Sequence, residues 1–299
     1  MRTSSLGGAE RLIIDYLNNI DYSALQVTWA VHENNFSKER AGNSSLAHVE
    51  ILPRKDPKNG WIKDTIIFWK FVSSQKPDMV IINQFSMASF WFIDMALAFL
   101  ACKGNVTMIV HDCIPLLDPY VRKLHFGIFP TLGLVWGSKY LGRRLMAYVS
   151  RKVIAVSSQV QEMLVRMYRY PEKSVSVIYH GVDTKRFSPV EDCFKRELRK
   201  KFGVPADVTV LVSTARFDAF KRVDLLISVF RSFAGARQDI WLVLAGDGPD
   251  EPLLHSQVSS MDPSLRSRIC FLGFMGNVEE ALQMSDIYVL PSYTEGMPL

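Results

Sequence analysis

The chain has 299 residues, 48% of them hydrophobic and 22% charged, with a formal net charge of +5. That length suggests two domains rather than one, and the composition excludes a disordered chain. The modest positive charge suits an anionic ligand or a membrane surface but does not by itself point to nucleic acid, and no nucleic-acid partner is expected.

Short apolar, β-branched runs alternate with helical patterns along the whole chain. A helix is predicted over Gly8–Ile20, then strands over Leu25–Val31 and Ala47–Leu52 and a helix over Trp61–Ser74. Strands over Met79–Ile82 and Val106–Val110 flank a helix over Met87–Ala101, and a helix over Gly137–Ser150 leads to a strand over Val153–Val156. A helix over Ser158–Tyr168 and a strand over Val175–Tyr179 close the first series. A polar segment, Asp183–Asp192, interrupts the rhythm before a charged helical stretch, Phe194–Lys201. The second series has strands over Val208–Thr214, Ile240–Ala245, Ile269–Leu272 and Ile287–Leu290, with helices over Lys221–Ala234, Glu251–Met261 and Val278–Met284 between them. Several strands are continuous apolar runs, as parallel strands covered on both faces require. The alternation predicts an α/β fold with doubly wound parallel sheets, divided into domains at 1–187 and 188–299.

Five features carry candidate chemistry. Gly7 and Gly8 open the first helix, where bare backbone N–H groups can approach a phosphate; alone, the pair fits a plain loop-to-helix turn equally well. His111-Asp112 directly follows the strand Val106–Val110, at the end of the sheet where ligands of open α/β folds sit; a loop-capping pair is the alternative. Arg216 and Lys221 follow the first strand of the second series and supply the positive charge that a diphosphate needs. Gly246 and Gly248, in AGDGP, form a turn that lets backbone come close to a nucleotide. The strand ending at Leu290 runs into PSYTEGMPL, which places Glu295 in a small-residue turn with Gly296, Met297, Pro298 and Leu299.

Other features bear on setting. The four cysteines are scattered without a C-x-x-C pair, so reduced thiols and no metal site are expected. The three N-x-S/T triplets, at Asn35, Asn43 and Asn105, carry little weight without a secretory signal, and residues 1–20 have no apolar signal core. The run Met79–Cys102 carries Asn83, Gln84 and Asp94, so it reads as a strand and packed helix rather than a membrane span. Lys139, Arg143, Arg144, Arg151 and Lys152 surround a helix rich in Leu, Trp, Met and Tyr. Such a helix can rest on a membrane surface or be an ordinary amphipathic helix with a solvated face. A cytoplasmic location is expected, with peripheral contact at the cytosolic membrane surface as one arrangement.

The motifs together resemble family 4 glycosyltransferases. The matching pieces are GGAER at Gly7–Arg11, HD at His111, VSS at Val156–Ser158, HGVDTKRFSP at His180–Pro189, ARFDAFKRVDLLI at Ala215–Ile227, AGDGP at Ala245–Pro249, FLGF at Phe271–Phe274 and LPSYTEGMPL at Leu290–Leu299. The resemblance implies the GT-B fold, with two Rossmann-like domains facing across a cleft and the second domain incomplete here. It implies a retaining hexosyltransferase that needs no metal and no cofactor. The donor would be a UDP- or GDP-sugar and the acceptor a hydroxyl of a saccharide or lipid-linked molecule. It implies His111 near the donor sugar and Glu295 as the first of two family glutamates. Arg216 and Lys221 would bind the diphosphate, with Gly7, Gly8, Gly246, Gly248, Gly296, Met297, Pro298 and Leu299 lining the donor. Two departures accompany it: no strand is legible before Gly7, and the second family glutamate would lie past Leu299. A chain with those departures is expected to be poorly stable or inactive alone.

Two other classes compete with this reading. A non-catalytic partner that keeps the fold as a binding module would bind no donor. An NAD-dependent oxidoreductase is disfavoured because Gly246 and Gly248 do not complete G-x-G-x-x-G.

Overall fold

A computed structural model describes residues 15–32, 48–52, 60–84, 91–111 and 132–298. They form two compact units. One is Gly181–Thr294; the other holds the described residues up to His180 together with 295–298.

The unit ending at His180 has helix α1 over 15–19, strands β1 (Thr28–His32) and β2 (His48–Leu52), and helix α2 (Gly60–Gln75). Strands β3 (Val80–Gln84), β4 (Val106–Val110), β5 (Lys152–Ala155) and β6 (Val175–Val177) follow, with helices α3 (Trp91–Ala101), α4 (Leu132–Val149) and α5 (Ser158–Glu162) between them. β1 and β2 pair parallel, and β3-β4-β5-β6 form a parallel sheet in that order. Val106, Met108 and Val110 are wholly buried, and Thr107 between them is nearly so, as a strand covered on both faces demands. The predicted helix over 158–168 is interrupted: α5 gives way to a π-helical turn over Met163–Met167, whose wider repeat still buries Met163 and Leu164. The predicted strand over 175–179 stops at Val177, and α4 starts at Leu132 rather than 137.

In the unit Gly181–Thr294, the elements are α6 (Asp192–Lys201), β7 (Thr209–Thr214), α7 (Val223–Ala234), β8 (Ile240–Ala245), α8 (Glu251–Ser259), α9 (Pro263–Arg266), β9 (Ile269–Gly273), α10 (Val278–Gln283) and β10 (Ile287–Tyr288). The sheet is parallel, in the order β10-β7-β8-β9. Alternation along β7 and β8 sends Leu211, Leu242 and Leu244 to one face and Val210, Val212, Val243 and Ala245 to the other. α7 covers the first face with Val223, Leu226, Ile227, Phe230 and Ala234, at the spacing of one helix stripe. Leu198 of α6, with Ala281 and Met284, covers the second. Each fully buried Val, Leu, Ile, Phe or Met side chain contributes about 1.5–3 kcal/mol. α7 begins two residues later than the sequence pattern predicts, because Arg222 adopts φ 52° at its N-cap.

Arg199 organises the entry to this sheet. Its side chain is 6% exposed and pairs with Asp286 at 2.7 Å. It also donates to the carbonyls of Met284, Ala206 and Val208. Asp286 in turn accepts from the Val210 N–H and from Lys195. Burial alone would raise the Asp286 carboxyl, but the Lys195 and Val210 hydrogen bonds and the Arg199 and Lys195 charges outweigh it and hold the group below its ordinary value.

Candidate functional site

The order β10-β7-β8-β9 contains a topological switch point. From β7 the chain moves outward through β8 to β9, then returns to the other side of β7 as β10. In open parallel sheets, ligands bind outside the carboxyl ends of the strands at that position. The segment after β7 carries Arg216 and Lys221, and the segment after β10 is Val289–Thr294. The two are joined: Tyr293 donates its N–H to the Phe220 carbonyl at 2.7 Å.

The Arg216 loop is held from below by the turn after β8. Ala215 donates to the Ala245 carbonyl, Phe217 to the Asp247 carbonyl, and Asp250 back to the Phe217 carbonyl. A β-carbon on Gly246 would strike the Ala215 carbonyl, and one on Gly248 would lie 2.7 Å from the Phe217 backbone nitrogen. The bare faces of both glycines are therefore filled by the loop that carries Arg216. Asp218 shapes the loop's far end, accepting from the Phe220 and Lys221 N–H groups. Arg216 stands out of the loop with 61% of its side chain exposed, its Nε 4.0 Å from Asp218. Lys221 is half-buried. Burial first, and then the charges of Asp218 and Asp224, push the Asp250 carboxyl up. Among the described residues, Ser213 Oγ on β7 and Ser292 Oγ after β10 are buried without a hydrogen-bond partner.

The other sequence-predicted residues belong to the unit ending at His180. His111 stands at the carboxyl end of β4, where the sequence pattern placed it. His180 lies just beyond β6, and the two imidazoles stack with centroids 5.2 Å apart and planes 16° apart. Burial, and secondarily the His180 charge, lower the His111 pKa to about 4. Burial lowers His180 as well. Tyr16 Oη lies 2.6 Å from His180 Nδ1, and burial raises the phenol's pKa. Both rings are thus neutral at pH 7, able to donate one hydrogen bond and accept another.

Two residues of the turn 295–298, Gly296 and Met297, contact residues that follow β5 and β6. Ser157 donates its hydroxyl to the Gly296 carbonyl at 2.6 Å. The His180 backbone N–H faces Met297 Sδ at 3.3 Å. Gly296 is buried and Glu295 half-buried. Gly7, Gly8 and Leu299 lie outside the described residues. Tyr16 was not singled out from sequence, and Ser157 and His180 stood there only inside the VSS and HGVDTKRFSP motifs, with no site role. The available signal was position: His180 follows β6 as His111 follows β4, a polar residue past the carboxyl end of a parallel strand.

Comparison with known proteins bears on the family and the fold. The Glycosyltransferase Family 4 model matches residues 6–186, and the Glycosyl transferases group 1 model matches 194–299. The chain is 28% identical over 240 residues to the N-acetyl-alpha-D-glucosaminyl L-malate synthase of Bacillus anthracis. That match takes in 74% of this chain and 60% of the relative, so the chain spans less than two thirds of that enzyme's length. Among solved structures, Anabaena HepE in complex with UDP-glucose superimposes with a TM-score of 0.69 at 19% identity, over 98% of this chain and 72% of that one. WaaG, a glycosyltransferase involved in lipopolysaccharide biosynthesis, superimposes with a TM-score of 0.70 at 14% identity, over 98% of this chain and 73% of that one. These likenesses show the expected α/β fold of GT-B type. With a family model matched over more than half its length, the chain belongs to glycosyltransferase family 4.

Proposed function

We propose that this chain carries the working parts of a retaining glycosyltransferase, which moves a hexose from a nucleoside-diphosphate sugar to a hydroxyl of a saccharide or lipid-linked acceptor. The supporting observation is the Arg216–Lys221 loop, set at the switch point of a parallel sheet and braced by Gly246, Gly248 and Tyr293. Residues 188–299 would form the donor-binding domain and residues 1–187 the acceptor-side domain.

In this reading Arg216 and Lys221 bind the diphosphate and stabilise the charge that grows on the leaving nucleotide, so the reaction needs no metal. Gly246 and Gly248 act chiefly by seating that loop. His111, held neutral, hydrogen-bonds a hydroxyl of the donor sugar as positive charge develops on the ring. Glu295 acts at the donor sugar, in the turn with Gly296, Met297, Pro298 and Leu299. Gly7 and Gly8 contribute backbone N–H groups to the phosphates. UDP and GDP are both candidate leaving groups, and HepE, whose structure holds UDP-glucose, favours the uridine donor. No described helix is long and apolar enough to cross a membrane. A lipid-linked acceptor would be met through peripheral contact at the cytosolic membrane surface.

The test is calorimetry with UDP, GDP and their hexose conjugates, followed by product analysis for retention at the anomeric carbon. Binding of a nucleotide-sugar that is lost on Arg216→Ala supports the reading. Binding of none of them by the folded protein would count against the reading and favour a non-catalytic partner or an inactive fragment.

A further inference from the structure

We propose that His180 is a positioning residue for His111: its ring fixes the rotation of the His111 imidazole. Naming His111 catalytic rests on the function proposed above; the geometry of the rings does not.

His180 has three attachments. Its ring lies nearly parallel to that of His111 at 5.2 Å. Its Nδ1 meets the Tyr16 hydroxyl at 2.6 Å, with the two rings tilted by 52°. Its backbone N–H faces Met297 Sδ, next to the Gly296 carbonyl that Ser157 holds. Two charged imidazoles at stacking distance repel, and partial burial disfavours both charges, so the pair rests neutral. A neutral imidazole has one donor and one acceptor nitrogen. The phenol, kept protonated by burial, is the donor, so His180 Nδ1 accepts and the ring proton sits on Nε2. Tyr16 thereby fixes the tautomer and rotation of His180, and the stack passes that rotation to His111. A single residue just beyond β6 then governs the orientation of His111.

The experiment is nitrogen-resolved NMR of the histidine side chains in the ligand-free chain. The wild type is expected to show His180 as one tautomer, protonated at Nε2, and His111 titrating far below the ordinary histidine range. Tyr16→Phe should convert His180 to a tautomer mixture. His180→Ala should move the His111 resonances and raise its midpoint by about one pH unit, since the ring that shields it is gone. His180→Phe keeps a stacked ring and should hold the His111 midpoint near the wild-type value. Kinetics give a second readout: His180→Ala should lower kcat by about tenfold or more, with the donor KM changed far less, and His180→Phe should recover part of the loss. His111 resonances unchanged in His180→Ala overturn the proposal. If that variant does not fold, an unchanged His180 tautomer in Tyr16→Phe overturns it. Resonances that move as expected in a protein that binds no nucleotide-sugar would leave the positioning intact and sink the glycosyl-transfer reading instead.

Discussion

Phe217 donates its backbone N–H to the carbonyl of Asp247 at 2.7 Å, so the loops after β7 and β8 close on each other. The Phe217 side chain is 1% exposed, its ring edge-on to Phe271. Arg216, one residue earlier, is aimed outward from an anchored backbone. A cation at a phosphate site gains from such anchoring, because little backbone order is lost on binding.

Gly248→Ala tests the anchor. The new β-carbon would lie 2.7 Å from Phe217 backbone atoms, which cannot rotate away. The loop must shift, at a cost of about 1–3 kcal/mol. Denaturant titration should show that loss, and calorimetry with UDP or GDP should show affinity reduced by more than about tenfold. Wild-type affinity in this variant would contradict the seating role.

Arg216→Ala should separate affinity from stability. The side chain is exposed, so stability should stay within about 0.5 kcal/mol. Nucleoside-diphosphate affinity should fall by about 10- to 100-fold through the lost charge-assisted hydrogen bonds. Arg216→Lys should restore only part of it, since a point charge cannot bridge two phosphate oxygens in one plane.

Arg199→Ala should be among the most damaging substitutions in the unit Gly181–Thr294. It removes the Asp286 partner at 2.7 Å and strips hydrogen bonds from the Met284, Ala206 and Val208 carbonyls. Lys195 and the Val210 N–H stay on Asp286, so a loss of about 1–3 kcal/mol, from the stripped carbonyls, is expected by denaturant titration. Acid should reproduce part of it: the Asp286 carboxyl is depressed in the fold, so its contribution is present above the unfolded carboxyl pKa and is lost as pH falls through the folded value.

His111 sets a second pH window. Its folded pKa of about 4 lies below the ordinary 6.5, so the unfolded chain binds more protons between those values. Stability from this group is complete above pH 6.5 and declines as pH falls toward 4, by up to about 3 kcal/mol. Urea midpoints measured from pH 7 to pH 4 should fall for wild type and fall less for His111→Asn. Equal slopes in the two proteins would exclude His111 as the source.

Much of the fold was legible because its signals are local. Continuous apolar runs such as Val106–Val110 and Ile240–Ala245 mark strands buried on both faces, and the structure has both at those bounds. The helix Val223–Ala234 is a plain stripe of Val223, Leu226, Ile227 and Phe230. Element ends were less legible. The left-handed Arg222 and the π-helical turn at Met163–Met167 answer to neighbouring packing, which local periodicity does not carry.

The site divides in the same way. Sequence alone determined that His111 and Arg216 stand at carboxyl ends of parallel strands, since strand identity and direction follow from the local pattern and the βαβ rhythm. Only the tertiary structure decided that β10 returns beside β7, that the Ala215–Phe217 backbone fills the faces of Gly246 and Gly248, and that His180 lies on His111 with Tyr16 against its far nitrogen. Those relations join residues distant in the chain. They are set by strand order and side-chain packing, and no short stretch of sequence encodes either.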